Sequence, residues 1–306
     1  MSASSAAFAC DLCAFYSANQ ARTDVGEGPF LGVAEQFTHF GTVQVDGHEV
    51  SNPSDQYMDS SVSQLFAGYN FSSRFGVQVT MPLIYRSFKR PDGLGGIDEG
   101  TESGLGDVAL LGNLILANHY SSKFAYNWSL LAGIKFPTGD SDRLREEFNE
   151  VDNPVGPPSG IHGHDLALGS GSYDGIIGTG IYVRWKRVFL SGGVQYAIRS
   201  TGDFDYRYAN DLTWSGGPGY MIVVNDDYTL GLQAVVSGEW KKKDTFQGEE
   251  AEDTGVTSVY LGPQINMTWG SSLSAQVAAD LPVSIQNTSL QTVPDYRVRA
   301  SVSWHF

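Results

Sequence analysis

The last eleven residues, Tyr296 to Phe306, alternate without a break. Tyr296, Val298, Ala300, Val302, Trp304 and Phe306 are apolar or aromatic, and Arg297, Arg299, Ser301, Ser303 and His305 lie between them. Successive side chains of a strand point to opposite faces, so this stretch has one greasy face and one polar, partly cationic face. Its length suits a tilted membrane-crossing strand, which needs roughly 9–11 residues. The pattern recurs. Phe75, Val77, Val79, Met81, Leu83 and Tyr85 share one face of their stretch, as do Phe124, Tyr126, Trp128, Leu130, Ala132, Ile134 and Phe136. So do Val259, Leu261, Pro263, Ile265, Met267 and Trp269, and then Leu273, Ala275, Val277, Ala279, Leu281, Val283 and Ile285. An edge strand of a soluble sandwich gives no reason for such repetition.

Composition enters as a set of exclusions. No run of 18 apolar residues occurs, so the sequence holds no transmembrane helix. A mean hydropathy of -0.19 does not exclude a membrane, because a barrel that alternates apolar-out and polar-in averages to a soluble-looking value. Gly 36, Tyr 15, Phe 16 and Trp 6 suit bends and interfacial aromatic girdles. A net charge of -15 excludes a nucleic-acid partner and a polybasic hold on anionic lipid. The expected partners are the lipid bilayer and a small-molecule solute.

From Phe30 onward, extended segments alternate with connections of two kinds. The segments run roughly 30–43, 57–71, 74–90, 104–118, 122–137, 169–185, 187–201, 214–225, 228–241, 255–269, 272–287 and 294–306. Short turns fall at Ser72-Ser73, Asn118–Ser121, Lys186, Asp226-Asp227 and Gly270-Ser271. Longer, often acidic loops fall at 44–56, 91–103, 138–168, 202–213, 242–254 and 288–293. Short turns on one rim and long loops on the other predict an all-β, transmembrane, antiparallel up-and-down barrel of about twelve strands in a bacterial outer membrane. An even strand number puts both termini on the short-turn, periplasmic rim. Residues 29–306 form the barrel; residues 1–28, without strand pattern, are expected as a periplasmic or plug segment. Ala7-Phe8-Ala9 resembles the end of a secretory signal. The first strand is irregular: Glu35 and His39 share a face with Leu31, Val33 and Phe37, so a bulge or a slipped register is expected there.

Cys10 and Cys13 are the two cysteines. Ala14 follows them, so covalent haem by a Cys-x-x-Cys-His route is excluded. A disulfide, a two-thiolate soft-metal site and a structural pair remain open. His162 and His164 would share one face of an extended loop, as a candidate transition-metal pair or as ordinary loop histidines. Acidic residues gather in the long loops, among them Asp98, Glu102, Glu146 and Glu252, as a solvated rim. No Gly-x-Ser-x-Gly, P-loop or His-Glu-x-x-His motif is present, so no enzyme is expected, and no cofactor. Alternation turns Arg86, Asp107, Lys135, Asp174, Arg184, Arg199, Glu239, Asp280, Arg297 and Arg299 toward the lumen, because a charge on the lipid face at mid-bilayer costs roughly 2–4 kcal/mol. There they would pair across the barrel or set the selectivity of a pore. Asp107, Lys135 and Asp174 should form one inward cluster, and Arg297 and Arg299 should meet Asp280.

Three stretches taken together resemble a known family: Gly104-Leu105-Gly106-Asp107, then Lys135-Phe136-Pro137-Thr138-Gly139, then Gly169-Ser170-Gly171-Ser172-Tyr173-Asp174. Their order resembles the outer-membrane barrels associated with the meta-pathway of phenol degradation, described as transporters. The likeness covers roughly residues 60–306. It implies an outer-membrane channel for small molecules, hydrophobic or aromatic ones among them. A terminal strand ending in Phe306 also resembles the signal read by the barrel assembly machinery. Two other readings stay open: a surface barrel that binds a partner through its acidic loops, and a barrel carrying a periplasmic Cys10/Cys13 metal or redox element.

Overall fold

The computed structural model describes residues 26–150, 158–225 and 227–306. Twelve antiparallel staves close into one barrel. In chain order they are β1 (Gly28–Val45), β2 (Tyr57–Asn70), β3 (Phe75–Pro91), β4 (Ile97–Leu105, resuming as Ala109–Tyr120), β5 (Phe124–Lys135), β6 (Asp174–Trp185), β7 (Val188–Ile198), β8 (Asp211–Val224), β9 (Tyr228–Lys241), β10 (Val256–Trp269), β11 (Leu273–Asn287) and β12 (Leu290–His305). β12 pairs with β1 from Phe30↔His305 to Val45↔Leu290, so the sheet keeps no open edge there.

Local chemistry sets the short turns. Ser72 Oγ accepts the N–H of Phe75 at 3.0 Å, Ser121 Oγ that of Phe124 at 3.1 Å, and Asn225 Oδ1 that of Tyr228 at 2.7 Å. Outward side chains are mostly apolar along the staves. Exposed aromatics gather at both ends: Tyr69, Phe75, Phe124, Trp185, Trp269 and Trp304 at the short-turn rim, Tyr85, Tyr173, Trp240 and Tyr296 at the long-loop rim. An apolar band between two aromatic girdles is the outer surface of a bacterial outer-membrane barrel.

Three details depart from the expected pattern, and a fourth agrees with the irregularity expected in the first strand. The stretch 91–103 is not a loop: Asp92 Oδ1 accepts the N–H groups of Leu94 and Gly96, both at 2.8 Å, and this tight turn lets Ile97–Leu105 pair with β3. The stretch 288–293 also shrinks to a turn at Thr288-Ser289, with Ser289 at φ 56, and β12 starts at Leu290. Ile285 faces inward, because the pairing skips Val283 between Val259↔Ser284 and Tyr260↔Pro282. It packs on Val256 and Val293. In β1 the register against β2 runs unbroken from Gly28↔Asn70 to Phe40↔Met58, and the irregularity lies against β12, just beyond His39. Glu35 and His39 therefore do point outward. Glu35 accepts from Ser61 Oγ at 2.6 Å and from Ser63 Oγ, and His39 Nδ1 lies 2.6 Å from Asp59 Oδ1.

The wall is uneven. β1 has 18 residues, β3 17 and β12 16, whereas β5 and β6 have 12 each and β7 has 11. The Ile97–Leu105 half of β4 pairs with β3 and has no strand partner on its other side among the described residues. Of the segment that follows β5, the described residues 136–148 and 158–173 fold over this low side and into the barrel mouth, Arg143 reaching Glu102 and Ile161, Leu166 and Leu168 packing on inner-face side chains.

Candidate functional site

The three stretches that carry the family resemblance converge on one carboxylate. Asp107 sits where β4 breaks. Its Oδ1 accepts the N–H groups of Thr138 (3.1 Å) and Gly139 (3.0 Å), and its Oδ2 accepts the N–H (3.0 Å) and hydroxyl (2.8 Å) of Ser170. Lys135 Nζ donates to Asp107 and Ser170 and lies 2.9 Å from Asp174 Oδ2. Arg199 reaches Asp174 and Asp211 at 3.0 Å each. Gly139 and Gly169 cross backbone to backbone: a Cβ on Gly169 would meet Gly139 C at 2.5 Å, so a side chain there has no room. Lys135 is 1% exposed and Asp174 2%. A buried charge set of this kind is held by its pairing, and removal of one partner typically costs about 3–5 kcal/mol.

The other expected lumen residues also face inward. Arg299 grips Asp280 through two nitrogens, at 2.7 and 3.0 Å. Arg297 lies 4.4 Å over the Tyr260 ring. Glu239 accepts from Ser258 Oγ at 3.1 Å. Arg86 donates to Ala167 O at 2.5 Å. Arg184 stands apart, at the short-turn mouth, donating to the carbonyls of Ser121 (3.1 Å) and Lys186 (2.8 Å). The sequence reading missed Asp211 and Lys241, both inward. Lys241 Nζ lies 2.8 Å from Asp244 Oδ1, and Asp244 also accepts from Tyr206 OH at 2.7 Å. Their alternation phase was the available signal, but both fall at strand ends.

The outer half of the lumen is stoppered. Ile161 and Leu166, both fully buried, pack with Phe40, Met58 and Phe88 from the inner faces of β1, β2 and β3. Leu168 packs on Val62 and Ile84. The helical turn Gly163–Leu166 is tied on its other side by His164, whose Nδ1 lies 2.8 Å from Glu147 Oε1 and whose carbonyl accepts from Tyr208 OH at 2.9 Å. Burial alone would lower the His164 imidazole, but the Asp165 and Glu147 carboxylates outweigh it and hold it up at about 10. Burial pushes Asp165 up to about 6 despite that imidazole, and burial raises Asp253 to about 6 as well. His162 Nε2 lies 2.7 Å from Ser159 O. Both histidines thus face protein acceptors, and among the described residues no three His, Cys, Asp or Glu side chains are grouped to hold a metal ion. Acidic residues expected on a solvated rim are knitted in too: Arg90 reaches Asp98 at 3.0 Å and Glu146 at 2.8 Å, and Arg143 bridges Glu102 and Glu146. Cys10 and Cys13 lie outside the described residues.

The inner half is open. A cavity of about 580 Å³ lies against β5 to β11. Its polar lining is almost entirely neutral: Asn127, Gln195, Gln233, Gln264, Asn266 and Gln276 with Ser129, Ser191, Ser215 and Thr229, Arg184 being the exception. Leu131, Tyr182, Phe189 and Met221 supply apolar surface. The amides brace one another. Gln233 Nε2 donates to Ser191 Oγ (2.7 Å) and Gly217 O (2.8 Å), and Gln264 Nε2 to Asn266 Oδ1 (2.8 Å). Glycines at 178, 180, 192, 193 and 216 keep this wall thin.

No protein-family model and no curated protein matches the sequence. Among solved structures, the fold is similar to that of an outer membrane channel from Pseudomonas putida F1, at 18% identity and a TM-score of 0.64, over 92% of this chain and 97% of that one. The β domain of the Bordetella autotransporter BrkA (11% identity, TM-score 0.45, 92% and 99% covered) and the translocator domain of NalP from Neisseria meningitidis (12%, 0.45, 96% and 94%) are more distant barrels. At these identities the likeness speaks for the fold.

Proposed function

We propose that the chain is an outer-membrane channel for small uncharged molecules, phenol-like ones in particular, with the inner cavity as its solute compartment. The cavity lining carries this reading. A ring would lie against Phe189, Met221, Tyr182 and Leu131, while a hydroxyl would find donors and acceptors among the braced amides, and 580 Å³ suits a small ligand. The Pseudomonas putida neighbour is itself a channel, and the resemblance to phenol-pathway barrels points the same way. The stopper would gate access from outside, and passage is the proposed activity rather than catalysis. Residues 1–28 are proposed as a plug from the periplasmic side. In support, Gly26 lies beside lumen-facing His305 and its carbonyl accepts from inward Asn70 at 3.2 Å. Phe306, 64% exposed beside Trp304, is offered as the assembly signal. The test is ionic current through single barrels in planar bilayers, with benzyl alcohol as the probe. Benzyl alcohol should interrupt the current more often than benzoate or benzylammonium of like size. Equal effects of all three would refute the selectivity, and absence of any current would refute the channel.

A further inference from the structure

We infer that the outward face of β1 and β2 is a contact surface for a second copy of this chain, built around Glu35. Between the two girdles, Glu35 is the one ionisable side chain on the outward face among the described residues; it lies between Val33 and Phe37. Ser61 Oγ (2.6 Å) and Ser63 Oγ donate to it. Acyl chains offer no donors, and two hydroxyls fill about half of the roughly four acceptor positions of a carboxylate. Polar groups at membrane depth ordinarily face a protein partner or water rather than lipid.

The surroundings suit a protein wall. Ser61, Ser63 and Ala67 on β2 and Ala300 on β12 are short outward side chains, and small residues let membrane segments approach closely. Leu65, Leu83 and Val298 frame them with exposed apolar surface. Ser61 and Ser63 already give their single O–H groups to Glu35, and the donor the patch presents outward is Tyr85 OH, 50% exposed and opposite Ser61; with Glu35 as acceptor and Tyr85 as donor the patch is self-complementary, as a two-fold contact between identical copies requires.

The test counts copies of the full, fluorescently labelled chain by photobleaching in phosphatidylethanolamine/phosphatidylglycerol vesicles at rising protein density. Pairs should appear, and Glu35→Leu should lower the association constant about tenfold. Ala67→Trp, a bulky outward residue that lipid accommodates and a close contact does not, should do the same. Thr179→Leu, on the outward face of β6, should leave pairing unchanged. Single copies at every density would overturn the inference. So would pairing that survives both Glu35→Leu and Ala67→Trp, or that falls equally with Thr179→Leu.

Discussion

The two halves of the lumen solve the same problem in opposite ways. The charge chain and the cavity share the inward faces of β5 to β8, the stopper packs across on β1 to β3, and both halves must hold polar groups away from bulk water. The outer half does so with charges that cancel: Asp107, Lys135, Asp174, Arg199 and Asp211 form one chain of pairs, and a loop packs on top. The inner half does so with neutral amides that brace one another and leave a space between them. Charge pairing closes a lumen because each ion needs its partner at contact. Amides tolerate an open space because an unmet amide costs far less than an unmet ion.

The largest effect that would break this contrast is on stability. Lys135→Met leaves Asp107 and Asp174 without their shared cation and should destabilise the barrel by about 3–5 kcal/mol, read from urea unfolding by gel mobility. Gln264→Leu in the inner half should cost about 1 kcal/mol in the same assay. Equal losses would erase the distinction.

The pH dependence sharpens the comparison next. The His164 imidazole is held up at about 10, so its contribution to docking the stopper is complete below its ordinary value of 6.5 and fades as pH rises toward 10. Asp165 and Asp253, raised to about 6, favour docking when protonated and lose that contribution as pH climbs from 3.8 through 6. Glu147 is lowered, burial being outweighed by His164, and its contribution is lost only on acidification below its ordinary 4.5. Single-barrel current should therefore increase between pH 7 and pH 10, and His164→Gln should flatten that rise. The smallest effect is in the cavity: Gln233→Leu should change benzyl alcohol blocking by about 1 kcal/mol, roughly five-fold in affinity.

The strand pattern makes the barrel legible in the sequence, and nine of the ten charges that alternation selects are buried side chains, Arg184 at the short-turn mouth being the tenth. Lys135 and Asp107 can be paired from sequence because both lie at the long-loop ends of two adjacent staves, where the register sets Ala109 opposite Lys135. Three things were hidden. Asp92 makes a turn through its side chain, so a polar stretch that reads as loop becomes strand. Val283 is skipped in the pairing, which flips Ile285 inward, and one-residue slips leave no mark in composition. The third is the division of the lumen itself. The amides of β7 to β11 alternate as visibly as the charges do, but they read as ordinary polar positions until the register sets Gln195, Gln233, Gln264 and Gln276 on one wall.

The central claim is that the inner half is a solute compartment and the outer half its stopper. Conductance of single full-length barrels, compared with that of the Ile161→Asp/Leu166→Asp form, tests it most directly. Both residues are fully buried in the stopper and neither lines the cavity. The account predicts a several-fold larger and steadier current in the double variant, with benzyl alcohol still blocking it. An unchanged current in a correctly folded variant, or a larger current that benzyl alcohol no longer interrupts, would contradict it.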